Sequence, residues 1–415
     1  MADKIFETYY SCPETDLFAK AAGLNAHLKS NPPDYLDGLG MVMLEAVKPV
    51  TKVRCPNGEI KDMIMLGANS FLGLNSHPEV IEASRSACDL YGSGAGSPPL
   101  YAGQTLLHSE LEEYIAAFLG VERALIFPCG YSGNIGVLSA LCRSNDVVIS
   151  DTSNHASLFD GIALSGAQSK CYLHRNMKHL SKVLNSLPES MTGRLIVSDG
   201  VFSMEGSLAP VDEICRLARQ HDARVMIDDA HGFGVIGSHG KGTASLFKCM
   251  DKVDIHYGTF SKAFGTIGGF CGGSADLIEY LKYYARSYFF SSALPAFVAA
   301  GVLASFKLLE KEPEIIEKLY ENSCFLRNSL EQLGFDTLGS RSAIVPVLVG
   351  DDEILGKLQM ELFQKGVFTN IGTTPAVNRK QCRLRMNAMA SHSREQLTYV
   401  VDCLETLGRK YGIIK

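Results

Sequence analysis

Lys262 stands in the segment Gly258-Thr259-Phe260-Ser261-Lys262-Ala263-Phe264-Gly265, just beyond an apolar run that reads as a buried strand. A glycine-rich strand reaching Gly273 follows it. A lysine among small and hydroxyl-bearing residues at a strand end is partly desolvated. That favours the neutral amine, a nucleophile able to form a Schiff base with a carbonyl. Thr259 and Ser261 are hydroxyl donors of the kind that hold a phosphate. A lone loop lysine is more often merely solvated, so the chemistry needs a second group. The segment Val225-Met226-Ile227-Asp228-Asp229-Ala230-His231-Gly232 supplies it, with two acids and an imidazole where another buried strand ends.

One carboxylate facing a heterocyclic nitrogen keeps that nitrogen protonated, and the histidine can bond a phenolic oxygen. With the lysine at an aldehyde, this is the partnership that a pyridoxal phosphate ring requires. A metal-binding Asp/His pair is the competing reading, and it lacks further ligands at sensible spacing. Asp229 also has the bland option of capping a helix. A third segment, Gly92-Ser93-Gly94-Ala95-Gly96-Ser97-Pro98-Pro99, comes close to the dinucleotide-binding glycine pattern, but Ser97 occupies the third glycine position. It follows Cys88-Asp89-Leu90-Tyr91 rather than a strand that opens a βαβ unit, so a nicotinamide site is not supported.

The lysine and acid segments together resemble the fold-type I pyridoxal-phosphate enzymes, and more narrowly the α-oxoamine synthases. The likeness runs from about Met65 to His392. It takes in Asn69 in ANSFLGLNSHP, His108 in HSELEEYIAAFLG, Gly130-Tyr131 in CGYSGN, His155 in SNHAS and Ser203 in GVFSMEG. Beyond these it includes DDAHG, TFSK, SSALP and Arg385 in RLRMNAMASH. The resemblance implies that Lys262 carries the cofactor and later moves the substrate's α-proton, with Asp228 at the ring nitrogen and His231 at the ring hydroxyl. It implies His155 stacked on the ring, and Gly130 and Tyr131 amides on the phosphate at a helix N-terminus. Thr259 and Ser261 would add hydroxyls, and Ser292 would reach the phosphate of a neighbouring subunit in a homodimer. Arg385 would bind the amino-acid carboxylate through a two-pronged guanidinium, with Asn69 and Ser203 in the substrate region.

The implied activity is a decarboxylative condensation of an amino acid with an acyl thioester, carried by coenzyme A or a carrier protein, giving an α-aminoketone. Three departures bear on the substrates. Pro99 stands where many relatives carry an arginine, Thr373 stands where bacterial serine palmitoyltransferases have one, and Asp199 replaces a more usual glutamate. Other fold-type I reactions (transamination, aldol cleavage) and a non-catalytic partner subunit are the alternatives. Retention of Lys262, Asp228 and His231 argues against the last.

The elements that must position these residues are legible as alternating patterns. Short apolar runs at Ala124–Phe127, Val147–Ser150, Arg194–Ser198, Arg224–Asp228 and Asp254–Tyr257 read as buried strands, with helical patterns such as Leu111–Leu119 and Val211–Gln220 between them. Strands separated by helices predict an α/β fold with a mostly parallel sheet, whose ligand crevice lies beyond the carboxyl ends of the strands. A helix over Asp16–Lys29 and a hairpin turning at Asn57-Gly58 precede this region. A long helical stretch from Ala296 to Leu333, broken near Pro313, follows it. Strands at Ala343–Val349 and Arg383–Asn387 then alternate with helices at Asp352–Lys365 and Ser393–Lys410. The expected division is an N-terminal helix and β element over 1–60, a large cofactor-binding domain over 61–300, and a smaller C-terminal α/β domain over 301–415.

The 415 residues suffice for two or three folding units at ~150 residues each. The net charge of −6 gives no sequence-wide attraction to nucleic acid or anionic membranes. No window reaches the ~18 apolar residues of a bilayer span, and the acidic start MADKIFETYYSCPETD does not read as a secretory leader. Twelve cysteines without CxxC pairs or metal-ligand clusters fit thiols in a reducing cytoplasm, and no metal is expected.

Overall fold

The computed structural model describes residues 16, 18–30, 40–191, 193–374 and 376–415. The acidic start of the chain and Pro32-Pro33 lie outside the described residues. Three strands come first: β1 (Val42–Met43), β2 (Val50–Arg54) and β3 (Ile60–Met65). Seven follow: β4 (Arg123–Phe127), β5 (Val147–Asp151), β6 (Gln168–Tyr172), β7 (Arg194–Asp199), β8 (Arg224–Asp228), β9 (Ile255–Thr259) and β10 (Gly269–Gly273). The last four are β11 (Ile344–Leu348), β12 (Val367–Phe368), β13 (Asn370–Gly372) and β14 (Arg383–Asn387).

The chain forms two compact units, and the larger spans Asn69–Ser203 and Ser207–Lys318. Its sheet has the order β4-β10-β9-β8-β7-β5-β6. β6, β5, β7, β8 and β9 are parallel, while β10 runs antiparallel to both β9 and β4. The reversal follows from connection length. Residues 260–268 between β9 and β10 are too few for the dozen or more of a parallel crossover, so the chain turns back on itself.

The alternation of side chains along each strand divides the core in two. Leu195, Val197 and Met226 pack with Val137 and Leu138 of the helix Gly130–Leu141 on one face. Ile196, Val225 and Ile227 pack with Ile214 and Leu217 of the helix Val211–Gln220 on the other. Burial on both faces explains why these strands read as continuous apolar runs. Extending the same period by two positions carries Val197 to Asp199, Met226 to Asp228 and Tyr257 to Thr259. Three polar residues therefore emerge on the face of the Gly130–Leu141 helix, at the carboxyl end of the sheet.

The smaller unit holds the described residues before Asn69 together with Met204–Gly206 and Leu319–Lys415. One of its sheets has the order β1-β2-β3-β12 and the other β11-β14-β13. Val367 pairs with Ile64, so the N-terminal hairpin is completed by a strand some three hundred residues later. This grouping differs from the division at 60 and 300, because short-range patterns carry no sign of that pairing. The long helical stretch does break at Pro313, into Ala296–Lys311 and Glu314–Gln332. No helix among the described residues is long and apolar enough to cross a membrane.

A pH dependence of stability follows from His392 in this smaller unit. The ring is 1% exposed, its Nδ1 accepts the Met389 N–H at 2.9 Å, and burial pushes its pKa down to about 4. The unfolded chain protonates this histidine near ~6.5. Below that pH the unfolded state binds the extra proton, and stability falls as pH drops from about 6.5 toward 4. The full loss is about 3 kcal/mol. In urea titrations from pH 7 to pH 4, His392→Gln is expected to show a flatter decline than the parent. An identical slope in the two proteins would refute the assignment.

Candidate active site

A cavity of about 250 Å³ opens at the carboxyl ends of the central strands. Gly130, Tyr131, His155, Ser203, Asp228, His231, Thr259, Ser261 and Lys262 all line it. A larger hollow of about 710 Å³ lies at the opposite, amino ends of the strands. Its acids cap local backbone there: Asp146 accepts the Arg143 N–H at 2.7 Å, and Asp254 accepts the Val225 N–H at 2.8 Å. Chemistry is therefore assigned to the smaller cavity, where the ligand crevice of such sheets is expected.

Lys262 is half-buried in the turn from β9 to β10. The turn is closed by Phe260 N–H to Gly268 O at 3.0 Å and Thr266 N–H to Phe260 O at 2.9 Å, so the lysine backbone is fixed. Thr259 donates its hydroxyl to Gly268 O at 2.7 Å, and it lies 2.9 Å from Ser261 Oγ. Across from it begins the helix Gly130–Leu141, with Cys129 as its cap. A Cβ on Gly130 would lie 2.9 Å from Thr259 Oγ1, so a glycine here lets the start of the helix sit against the Thr259 side chain. Tyr257 donates its hydroxyl to Gly130 O from below. The first amides of a helix have no acceptor within it, and here they point where the dipole favours an anion.

Asp228 is buried at the floor and accepts Asn134 Nδ2 at 2.6 Å and the Ala230 N–H at 3.0 Å. His231 is buried beside it, edge-on to Phe71 at 6.0 Å. His155 caps the helix Ala156–Ser165, its Nδ1 accepting the Ser157 N–H at 3.3 Å and lying 2.8 Å from Ser157 Oγ. Burial lowers its pKa, with Lys262 adding to the effect and Asp228 opposing it, so the ring is a neutral imidazole suited to lie against an aromatic face. Tyr131 stands edge-on to it at 5.8 Å and donates its hydroxyl to Asp160.

Other predicted residues fall elsewhere. Ser292 is exposed and does not line the cavity, and neither does Asn69. Arg385 is buried on β14 in the smaller unit. His108 is structural: its Nδ1 completes a capping box with Thr105, and its Nε2 lies 2.5 Å from Leu294 O. Asn134 and Asp199 line the cavity and are absent from the predicted set. The signal for Asn134 was its place one turn along the helix from Gly130, on the same face.

These residues fit pyridoxal phosphate on the structure's own terms. A glycine cradle and hydroxyls stand at a helix N-terminus, an amide-braced carboxylate lies on the floor, and a lysine stands on a rigid turn. The fold and the donor set define a fold-type I pyridoxal-phosphate transferase. The family model for aminotransferase class I and II matches residues 61–404. The 8-amino-7-oxononanoate synthase of Bacillus pumilus (strain SAFR-032) is 41% identical over 354 residues, 85% of this chain and 90% of that protein. A solved structure, the Sphingomonas wittichii serine palmitoyltransferase, aligns with a TM-score of 0.89 at 32% identity, covering 97% of this chain and 100% of that one. A solved "SPT with PLP internal aldimine" also aligns at 0.89 and 32%, covering 96% and 100%. The chain belongs to the α-oxoamine synthase family, and it is a pyridoxal-phosphate enzyme of the acyltransferase type.

Proposed function

We propose that this chain condenses an α-amino acid with an uncharged acyl thioester, losing CO2 and free thiol and releasing an α-aminoketone. The observation that carries the reading is the convergence of Lys262, Asp228 and His231 on one cavity at the carboxyl ends of the strands. When bound, pyridoxal phosphate supplies the electron sink for negative charge at the amino acid's α-carbon. Lys262 holds the cofactor and then takes the α-proton on Nζ. Asp228 keeps the ring nitrogen protonated, its carboxylate oriented by Asn134 and Ala230. His231 would bond the phenolic oxygen, and His155 would cover the ring and keep water from it. Gly130, Tyr131, Thr259 and Ser261 hold the phosphate. Ser203 lines the cavity on the substrate side; Asn69 and Arg385, which do not line it, are assigned to the substrate by the family likeness alone, Arg385 to the amino-acid carboxylate.

Two features bear on the acyl group and the assembly. Residues 92–107 contain no cation, and Leu100, Tyr101 and Leu106 are exposed, at 37%, 72% and 65%. Nothing in that segment would neutralise a charged acyl terminus, which favours an apolar chain. Tyr101 and the 72%-exposed Phe290 stand close in sequence or contact to the segment of Ser292, with Tyr101 edge-on to Phe289 at 6.0 Å. An apolar surface of this kind favours a homodimer in which Ser292 serves the neighbouring site. Coenzyme A and an acyl-carrier protein both present the thioester this reaction requires, and the twelve cysteines favour the cytoplasm.

The test is CO2 release from carboxyl-labelled amino acids with acyl-coenzyme A and acyl-carrier-protein thioesters. Release that requires both substrates, with free thiol appearing one for one, is expected. Amino-group transfer to an oxo acid without thioester dependence would replace this reading with transamination.

A further inference from the structure

Two aspartates end neighbouring strands beneath the cavity. Asp199 closes β7, Asp228 closes β8, and the parallel register sets them side by side with their side chains on one face. Adjacent strands lie ~4.8 Å apart, and each of the two residues is 4% exposed. Carboxylates placed this way cannot both ionise without a large penalty, so the pair keeps a proton. Hydrogen-bond donors decide where it sits. Asp228 accepts two, from Asn134 Nδ2 at 2.6 Å and the Ala230 N–H at 3.0 Å. Asp199 accepts the His155 N–H at 3.2 Å. The charged side chains acting on Asp199 are two acids, Asp228 and Asp151, and one cation, Lys262; His155 meets it through its backbone N–H. Its own backbone is pinned by Asn154, whose Oδ1 accepts the Asp199 N–H at 2.8 Å.

We propose that Asp199 is a positioning residue carried as a neutral carboxylic acid, holding the backbone of His155 and leaving Asp228 as the one carboxylate charge at the cofactor's ring nitrogen. This rests on reading the cavity as the cofactor pocket. Burial first, and then the neighbouring Asp228, pushes the Asp199 carboxyl well above its ordinary range. The consequence is electrostatic: a single negative charge meets a single protonated ring nitrogen, and His155, with no anion at its amide, stays a neutral ring.

The test begins without cofactor. Infrared difference spectra of apoprotein at pH 8, wild type minus D199N, are expected to contain the carbonyl stretch of a protonated acid. An ionised Asp199 would give only carboxylate bands and overturn the proposal. Cofactor affinity follows, read by fluorescence quenching. D199N, which mimics the neutral acid, should bind within about threefold of wild type, with an unshifted pH titration of the bound-cofactor absorbance. D199A loses the acceptor for His155 N–H and should bind about tenfold more weakly. A D199N protein as impaired as D199A, or with a shifted titration, would also overturn it. Should D199N fail to fold, wild type carrying ¹³C at its aspartate carboxyls decides. Burial also pushes the Asp229 carboxyl up, to about 7, so the same label is read in D229N: a carboxyl carbon still at the neutral-acid shift at pH 8 in that variant supports Asp199, and none overturns it. Loss of cofactor binding altogether would strike at the proposed function, whereas the infrared result stands apart from it.

Discussion

Lys262→Ala protein is expected to purify folded but without the visible absorption band of lysine-bound cofactor. Its condensation rate should be lower by about 10⁴-fold or more, the scale on which enzymes respond to loss of a covalent catalytic group. The structure separates this chemical loss from a structural one. The backbone around residue 262 is held by bonds among Phe260, Thr266 and Gly268, with Gly265 N–H to Lys262 O at 3.0 Å, none of which uses the lysine side chain. Ala263 and Phe264, not Lys262, contribute the apolar burial of the turn. The melting temperature of the apoproteins should therefore agree closely, as for substitutions outside the core. Lys262→Arg sharpens the point, because a guanidinium keeps the positive charge but has no neutral amine to attack a carbonyl or take a proton. Arginine should restore none of the activity, while its charge can still attract the phosphate-bearing cofactor. Turnover by either variant at a tenth of the parental rate would remove Lys262 from the mechanism.

Much of this site was legible because the strand period writes itself into the sequence. Val225-Met226-Ile227 announces a doubly buried strand, and the polar residues that follow must then emerge at its carboxyl end. The same reasoning reached Lys262 after β9, and the structure brings both segments to one cavity. The edge strand β6 was not foreseen, because Gln168, Ser169, Lys170 and Cys171 are exposed and carry no apolar alternation. The pairing of β3 with β12 was not foreseen either, since neither strand shows locally that its partner lies at the other end of the chain. Within the site, Asn134 is legible only as a polar residue one helical turn from Gly130. Its importance is a tertiary fact, a helix side chain bridging Ser157 Oγ at 2.9 Å and Asp228 at 2.6 Å. In the sequence Asp199 reads only as a shorter acid. What matters is its register against Asp228, which no single strand encodes.

Asp228→Asn should be the most damaging change that leaves the shape of the pocket intact. An amide cannot hold a ring nitrogen in its protonated form, so the electron sink is weakened at its source and the rate of condensation should fall by about 10³-fold, near 4 kcal/mol of barrier. A second penalty comes from the donors already in place. Asn134 Nδ2 and the Ala230 N–H point at different oxygens of Asp228, and an asparagine offers oxygen to only one of them. The other donor then faces an NH₂ in a buried site, at a cost of about 1–3 kcal/mol, which should appear as weaker cofactor binding. Measured kcat/KM and cofactor Kd separate the two effects, since the first acts on turnover with cofactor saturating and the second on saturation itself. The contrast with the adjacent strand makes the comparison decisive. Asp199→Asn changes the same kind of atom in the same register on the neighbouring strand, yet it replaces a group argued to be neutral already. If the two asparagine variants lose activity equally, the division of labour within the pair is wrong. If Asp228→Asn keeps a tenth of the parental kcat at saturating cofactor, its carboxylate is not the partner of the ring nitrogen.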